Sequence, residues 1–182
     1  MESGQITISR AARQADFPAR FQLLAAMNPC PCGYHGQASG QCRCSPEMVR
    51  RYQERLSGPL LDRIDMQLQV AALSPGELAA QASGESSALI AARVAVAFER
   101  QISRQGKPNS ALAGAEIDRH CQPGPDAAQL LQTAMLRLGW SARAYHRVLK
   151  LARTMADLAA SERIDRQHVA EAIQYRRGLS ME

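Results

Sequence analysis

The sequence has almost no lysine and few aromatics. Of its 22 basic residues only Lys107 and Lys150 are lysine, and Phe, Trp and Tyr together make up 4% of the 182 positions. A core short of rings must be built from Leu, Ala, Ile and Val, which a hydrophobic content of 46% supplies. That content excludes chain-wide disorder. No apolar run approaches the roughly 18 residues of a membrane span, and the N-terminus MESGQITISR lacks a signal-peptide pattern. The expectation is a cytoplasmic protein with no membrane segment, whose thiols stay reduced.

Catalytic signatures are missing too. There is no G-x-x-x-x-G-K-[ST]; the single Gly-Lys, Gly106-Lys107, is followed by Pro108. No apolar run ends in an Asp-Glu pair, and no Ser/His/Asp or Cys/His set has a workable spacing. No internal repeat or low-complexity tract stands in the chain.

What is abundant is arginine. The other 20 basic residues are Arg, and the net charge is +5. Arg makes planar, bidentate contacts to phosphates and carboxylates. A nucleotide or nucleic-acid partner fits that bias. Helices dressed with Arg–Glu pairs fit it equally.

The hydrophobic pattern changes along the chain. Gln5–Arg10 alternates, with Ile6 and Ile8 on one face, as a strand does. Residues 11–16 read as a polar turn, and residues 17–21 lead into the apolar run Phe21–Met27, which predicts a buried strand ending at Asn28-Pro29. Ser45-Pro46-Glu47 opens a helix to about Leu56. LLDRID, residues 60–65, is a short turn or helix, and residues 64–70 alternate as another strand. Residues 73–86 form a Gly/Ser/Pro-rich linker. Beyond it the period is helical: 87–105, 115–121, 125–138, 142–160 and a last helix capped by Asp165. Ile90, Val94, Phe98, Leu130, Leu131, Val148, Met155, Val169 and Ile173 are the predicted core of that bundle.

Cys30, Cys32, Cys42 and Cys44 read C-x-C, nine residues, C-x-C. Two close pairs on one loop can wrap a tetrahedral ion at small loop-closure cost. A structural zinc site is the reading, with His35 as a substitute ligand and disulfides as the rival. Cys121 reads as an ordinary buried thiol. Asn28 ends the apolar run, where it either turns the chain before Pro29 or holds a phosphate oxygen or water. Arg63 lies between Asp62 and Asp65, which reads first as a local salt bridge. Arg143 falls in the first turn of a helix capped by Ser141. A cation there opposes the helix dipole, and a nearby anion removes the penalty. Arg10, Arg13 and Arg20 surround the hairpin, as a solvated face or a nucleic-acid contact.

Taken together, ITISRA, FPARFQLLAAMNPCPCG, C-R-C-S and RLSGPLLDRID resemble the Mg-chelatase-like AAA+ ATPases of the ComM/YifB type, and SARAYHRVLKLARTMADLAAS resembles that family's sensor-2 helix. The resemblance covers nearly the whole chain. It implies an incomplete AAA+ α/β core (hairpin plus two strands) over 1–72, a linker over 73–86 and a mostly α lid over 87–182. It places sensor 1 at Asn28, the arginine finger at Arg63 with Asp62 beside it, and sensor 2 at Arg143. The hairpin becomes the pore-facing one, which puts Arg10, Arg13 and Arg20 near DNA. In the implied sheet order 5-1-4-3-2, residues 21–27 are strand 4 and 64–70 strand 5, while strands 1 and 3 are absent from this chain. The segment 1–72 is therefore expected to be poorly ordered, rearranged or completed by another chain. The family's Walker motifs precede the matching region, so the expectation is a C-terminal segment of a hexameric ATP/Mg2+ motor acting on DNA, inactive by itself. Two other functions remain open: an Arg-rich zinc-loop module that binds nucleic acid without ATP, and the ATPase subunit of a metal chelatase.

Overall fold

A computed structural model describes residues 4–10, 13–37, 40–80 and 84–176. It divides into two units, Met1–Arg63 and Ile64–Glu182.

The first unit opens with a hairpin, β1 (Gln5–Arg10) and β2 (Arg13–Pro18), paired antiparallel from Gln5↔Pro18 to Arg10↔Arg13. Most of the stretch expected to be a polar turn is thus strand, and residues 11–12 of that expectation lie outside the described residues. Ile6 and Phe17 face each other in the ladder, and the Thr7 hydroxyl donates to Asp16 Oδ1 at 2.6 Å. After the hairpin the sequence expectation fails. Residues 21–27 form no strand and are exposed, Leu24 at 84%. The apolar pattern is real, but no described strand in this unit supplies a ladder for its backbone. A cysteine loop follows, then α1 (Pro46–Gln53), capped by Ser45 Oγ accepting from the Met48 amide, and α2 (Gly58–Leu61), capped likewise by Ser57. Cys30 and Val49 are the buried apolar residues described in this unit. Two such residues are far too few to form a core.

The second unit begins with residues 64–70, also expected as a strand. They are irregular, and Val70 is 92% exposed. The expected linker contains a short helix, α3 (Pro75–Ala79), closed by a capping box between Ser74 and Glu77. Residues 81–83 of that linker are outside the described set. Then come α4 (Ser87–Gln105), α5 (Ala115–His120), α6 (Pro125–Leu138), α7 (Ala142–Leu158) and α8 (Arg166–Gln174). Their boundaries follow the caps. Ser86 and Ser141 accept from the amides three residues on, and Gly106 and Gly139 end α4 and α6 in the left-handed conformation that a Cβ disfavours.

The core lies among α5 to α8. Leu131, Val148, Ile164 and Val169 are fully buried, with Leu112, Ile117, Leu149, Met155 and Ile173 around them. Along α7, Ala144, Val148, Ala152 and Ala156 form the inward stripe, and the alanines let neighbours approach closely. Leu130 is partly buried against this core. Helix α4 departs from the prediction. Ile90 (41%), Val94 (51%) and Phe98 are exposed, and Ala97 and Gln101 are the residues it buries. Periodicity identifies an apolar face but not what covers it. Polar groups secure the C-terminal half of α4 instead. Arg104 donates bidentately to Asp157 of α7, from Nη1 to Oδ1 at 2.6 Å and from Nη2 to Oδ2 at 2.9 Å. Arg100 Nη1 donates to the Asp157 carbonyl at 2.8 Å. Among the described residues, no helix is long and apolar enough to cross a membrane.

The mostly helical class with a small β hairpin therefore stands. The two further strands do not form.

Candidate functional site

The four loop cysteines come together. The Sγ atoms of Cys30, Cys32, Cys42 and Cys44 all lie within 4.8 Å of one another. Cys30 and Cys32 are 3.3 Å apart, Cys30 and Cys42 3.8 Å, and Cys32 and Cys42 3.7 Å. A tetrahedral ion with sulfur ligands at 2.3 Å would set its sulfurs about 3.8 Å apart. The four thiols thus fit a metal. They are free, as is Cys121. His35 stands outside the cluster; its backbone amide, not its imidazole, serves Cys30.

The local chain is shaped for this. The Gly33 amide donates to the Cys30 carbonyl at 3.0 Å and closes a tight turn, with Gly33 at φ +84°, where a side chain would be strained. Gln53 of α1 donates to the Pro29 carbonyl at 3.1 Å and ties the helix to the loop. Backbone N–H groups of Tyr34 and Arg43 point at the Cys32 sulfur and bring its pKa down to about 6. Cys30 is also lowered: its burial opposes ionisation, but the His35 and Cys32 amides outweigh that effect. Cys44 moves the other way. A hydrogen bond from the Cys32 backbone amide to its sulfur lowers it, but neighbouring thiols and burial push it up to about 11. One thiolate forms readily, and its charge resists the next. A divalent cation at the centre reverses that order for all four. Cys121 is packed in the helical core, and burial raises it to about 11, as expected of an inert thiol.

The other candidates are spread out. Asn28 is exposed beside Gly33, where a Cβ on the glycine would meet its amide group at 3.7 Å. Arg63 follows α2, half-buried, with Nη1 donating to the Pro59 carbonyl at 3.1 Å. Of the two acids that flank Arg63, Asp65 pairs with Arg147 instead. Asp62 is the C-cap of α2. Arg143 is exposed in the first turn of α7, where the Ala144 amide bonds Ser141 Oγ at 3.2 Å. Asn28, Asp62 and Arg63 belong to the first unit and Arg143 to the second.

Arg10 and Arg13 are direct cross-strand partners at the hairpin tip, and both are exposed. Like charges set opposite each other destabilise a ladder, which an anion at the tip would relieve. Arg20 is not with them. It leaves the other end of the hairpin, against Gly4, and about 17 Å of strand separates Arg13 from Pro18.

Sequence reading missed Arg147 of α7 and Arg176 past α8, which hold residues 64–67 at the start of the second unit. Arg147 is spaced i+4 from Arg143 on α7 and could have been read from that spacing.

Residues 1–78 match the family described as magnesium chelatase, subunit ChlI, and residues 84–176 match magnesium chelatase, subunit ChlI C-terminal. The chain is 48% identical over 177 residues to a protein of Salmonella typhimurium named "Uncharacterized protein YifB", covering 97% of this chain and 35% of that one. It is 46% identical over 177 residues to "Competence protein ComM" of Haemophilus influenzae, covering 97% and 34%. The chain thus spans about a third of the length of these curated relatives.

Proposed function

The chain belongs to the magnesium chelatase family, among proteins of the ComM/YifB type, and from that membership we propose that it is the C-terminal segment of an ATP-driven motor that remodels DNA. Asn28 would orient the γ-phosphate or the attacking water. Arg63 would reach a neighbouring subunit's ATP in a hexamer and supply positive charge to the phosphoryl transition state. Arg143 would contact the phosphates from the start of α7. The magnesium and the phosphate cradle would be held by residues outside this sequence, which has no P-loop and no paired acidic motif. The observation that carries the nucleotide reading is Arg143, an exposed cation at a helix N-terminus, which an anionic ligand would stabilise.

Cys30, Cys32, Cys42 and Cys44 would hold one structural zinc ion. Its chemistry is that of a staple: it neutralises thiolates and fixes a loop whose unit has almost no apolar core. The name of the Haemophilus influenzae relative refers to competence, and a DNA substrate agrees with that and with the opposed arginines at the hairpin tip.

Arg63→Ala in the full-length protein tests the motor. Turnover should fall by on the order of 10³-fold while nucleotide affinity holds. Lost binding with unchanged turnover per bound ATP would refute the finger role. The arginine pair at the hairpin tip favours one second reading, a zinc-loop module that binds nucleic acid without ATP. It requires salt-dependent DNA binding by this chain alone and an intact protein without DNA-stimulated ATPase.

A further inference from the structure

Residues 64–67 have no regular secondary structure, yet they are held at three points. The Asp65 carboxylate pairs with the Arg147 guanidinium of α7. Arg176, just past α8, donates from Nη1 to the Ile64 carbonyl at 3.0 Å. The Gln67 amide donates to the Tyr175 carbonyl at 2.7 Å. One side-chain pair, one side-chain-to-carbonyl bond and one backbone bond therefore fasten four residues to α7 and to the end of α8.

The asymmetry of the ion pair matters. The Arg147 side chain is 11% exposed and that of Asp65 61%. Packing holds the guanidinium, and the more exposed carboxylate meets it. Such a pair loses less side-chain entropy than two exposed ones would. Arg147 also lies one turn beyond Arg143 on the same helix. On the other side, Ile64 is bonded directly to Arg63. The turn of α7 that carries Arg143 thus leads into the segment that begins one residue after Arg63.

We propose that Asp65, Arg147 and Arg176 form a strap that couples Arg63 to Arg143, so that the two arginines respond together to nucleotide. The three are positioning residues and touch no substrate. The proposal rests on the reading of Arg63 and Arg143 as phosphate-facing groups. Its physical content is that a tilt of α7 on nucleotide binding is passed to the backbone at Ile64 without slack. A strap of merely structural use would leave turnover alone once the fold was intact.

The test is a double-mutant cycle in the full-length protein, with ATP affinity and turnover measured separately. Asp65→Ala and Arg147→Ala should each lower kcat about tenfold with ATP affinity unchanged, and the exchange Asp65→Arg with Arg147→Asp should recover much of the loss. Combining Asp65→Ala with Arg63→Ala should cost no more than Arg63→Ala alone. Unchanged kcat in both single variants, beside a dead Arg63→Ala, would overturn the strap and leave the finger standing. Full turnover in Arg63→Ala would instead overturn the reading of the site, and the coupling with it. Hydrogen exchange on the 182-residue chain gives a readout independent of ATP. The Gln67 amide should be protected, and Arg147→Ala should speed its exchange about tenfold without altering α4. A Gln67 amide that exchanges at the unstructured rate would also overturn the strap.

Discussion

Asp157 is the residue whose removal should hurt the helical unit most. Its carboxylate is 2% exposed. It accepts from Arg104 Nη1 and Nη2, from Asn109 Nδ2 at 2.8 Å, and pairs with Arg153 Nη2 at 3.1 Å. Arg153 is itself buried. In Asp157→Ala two guanidiniums and a carboxamide lose their shared anionic acceptor at once, and Arg153, 3% exposed, is left a buried cation with only the Ser161 and Glu162 carbonyls to accept from it. Removing one partner of a buried ion pair costs about 3–5 kcal/mol. For a unit of roughly 120 residues that corresponds to a fall of about 12–20 °C in Tm. The assay is thermal unfolding followed by circular dichroism, with urea unfolding as a check that the cooperative unit is unchanged. Burial opposes ionisation of Asp157, but Arg104, Asn109 and Arg153 outweigh it and hold the carboxyl below the usual range. Its contribution is therefore complete above the unfolded pKa of about 3.9 and is lost as pH falls through the lower folded value. Asp157→Asn should flatten the acid limb of the stability curve and leave the region above pH 5 parallel to the wild type. A cost of Asp157→Ala below about 1 kcal/mol would mean that the network is solvated and the reasoning wrong.

The cysteine loop should carry one zinc ion per chain when the protein is purified without a metal-affinity step. Less than about a tenth of an equivalent, with four free thiols, would end that claim. Chelation should open residues 29–45 to exchange and leave the α5–α8 amides protected, because the two units have separate buried groups. Apparent zinc affinity should weaken as pH falls from about 8 to 6, with protons taken up as the ion leaves. In the helical unit, Val94→Ala should change stability by less than about 0.5 kcal/mol, and Leu131→Ala should cost about 2–5 kcal/mol. Similar costs at the two sites would restore α4 to the core.

Helices were legible in this sequence wherever the signal was local. A serine hydroxyl three residues from an amide and a glycine at the end of an apolar period are short-range chemistry, so α4 begins at Ser87 and ends at Gln105 as the caps at Ser86 and Gly106 predict. The cysteine cluster was legible for the same reason. Two C-x-C pairs nine residues apart can meet through one loop, and only the spare ligand at His35 was misread. The resemblance to the chelatase family was legible in short motifs that need no fold to be seen, and the family match agrees with it.

Only the tertiary structure decided what each apolar or charged residue faces. Residues 21–27 and 64–70 have strand composition, but a strand exists only where another strand pairs with it along its length, and no described strand lies beside either. Ile90, Val94 and Phe98 mark a true helical face that α7 does not cover, because α4 is anchored at its far end through Gln101, Arg104 and Asp157. Asp65 stands two residues from Arg63 and 82 from Arg147, and it pairs with the distant one. Sequence spacing ranks partners by proximity along the chain, whereas packing brought a buried guanidinium to the carboxylate and left the near one bonded to a carbonyl.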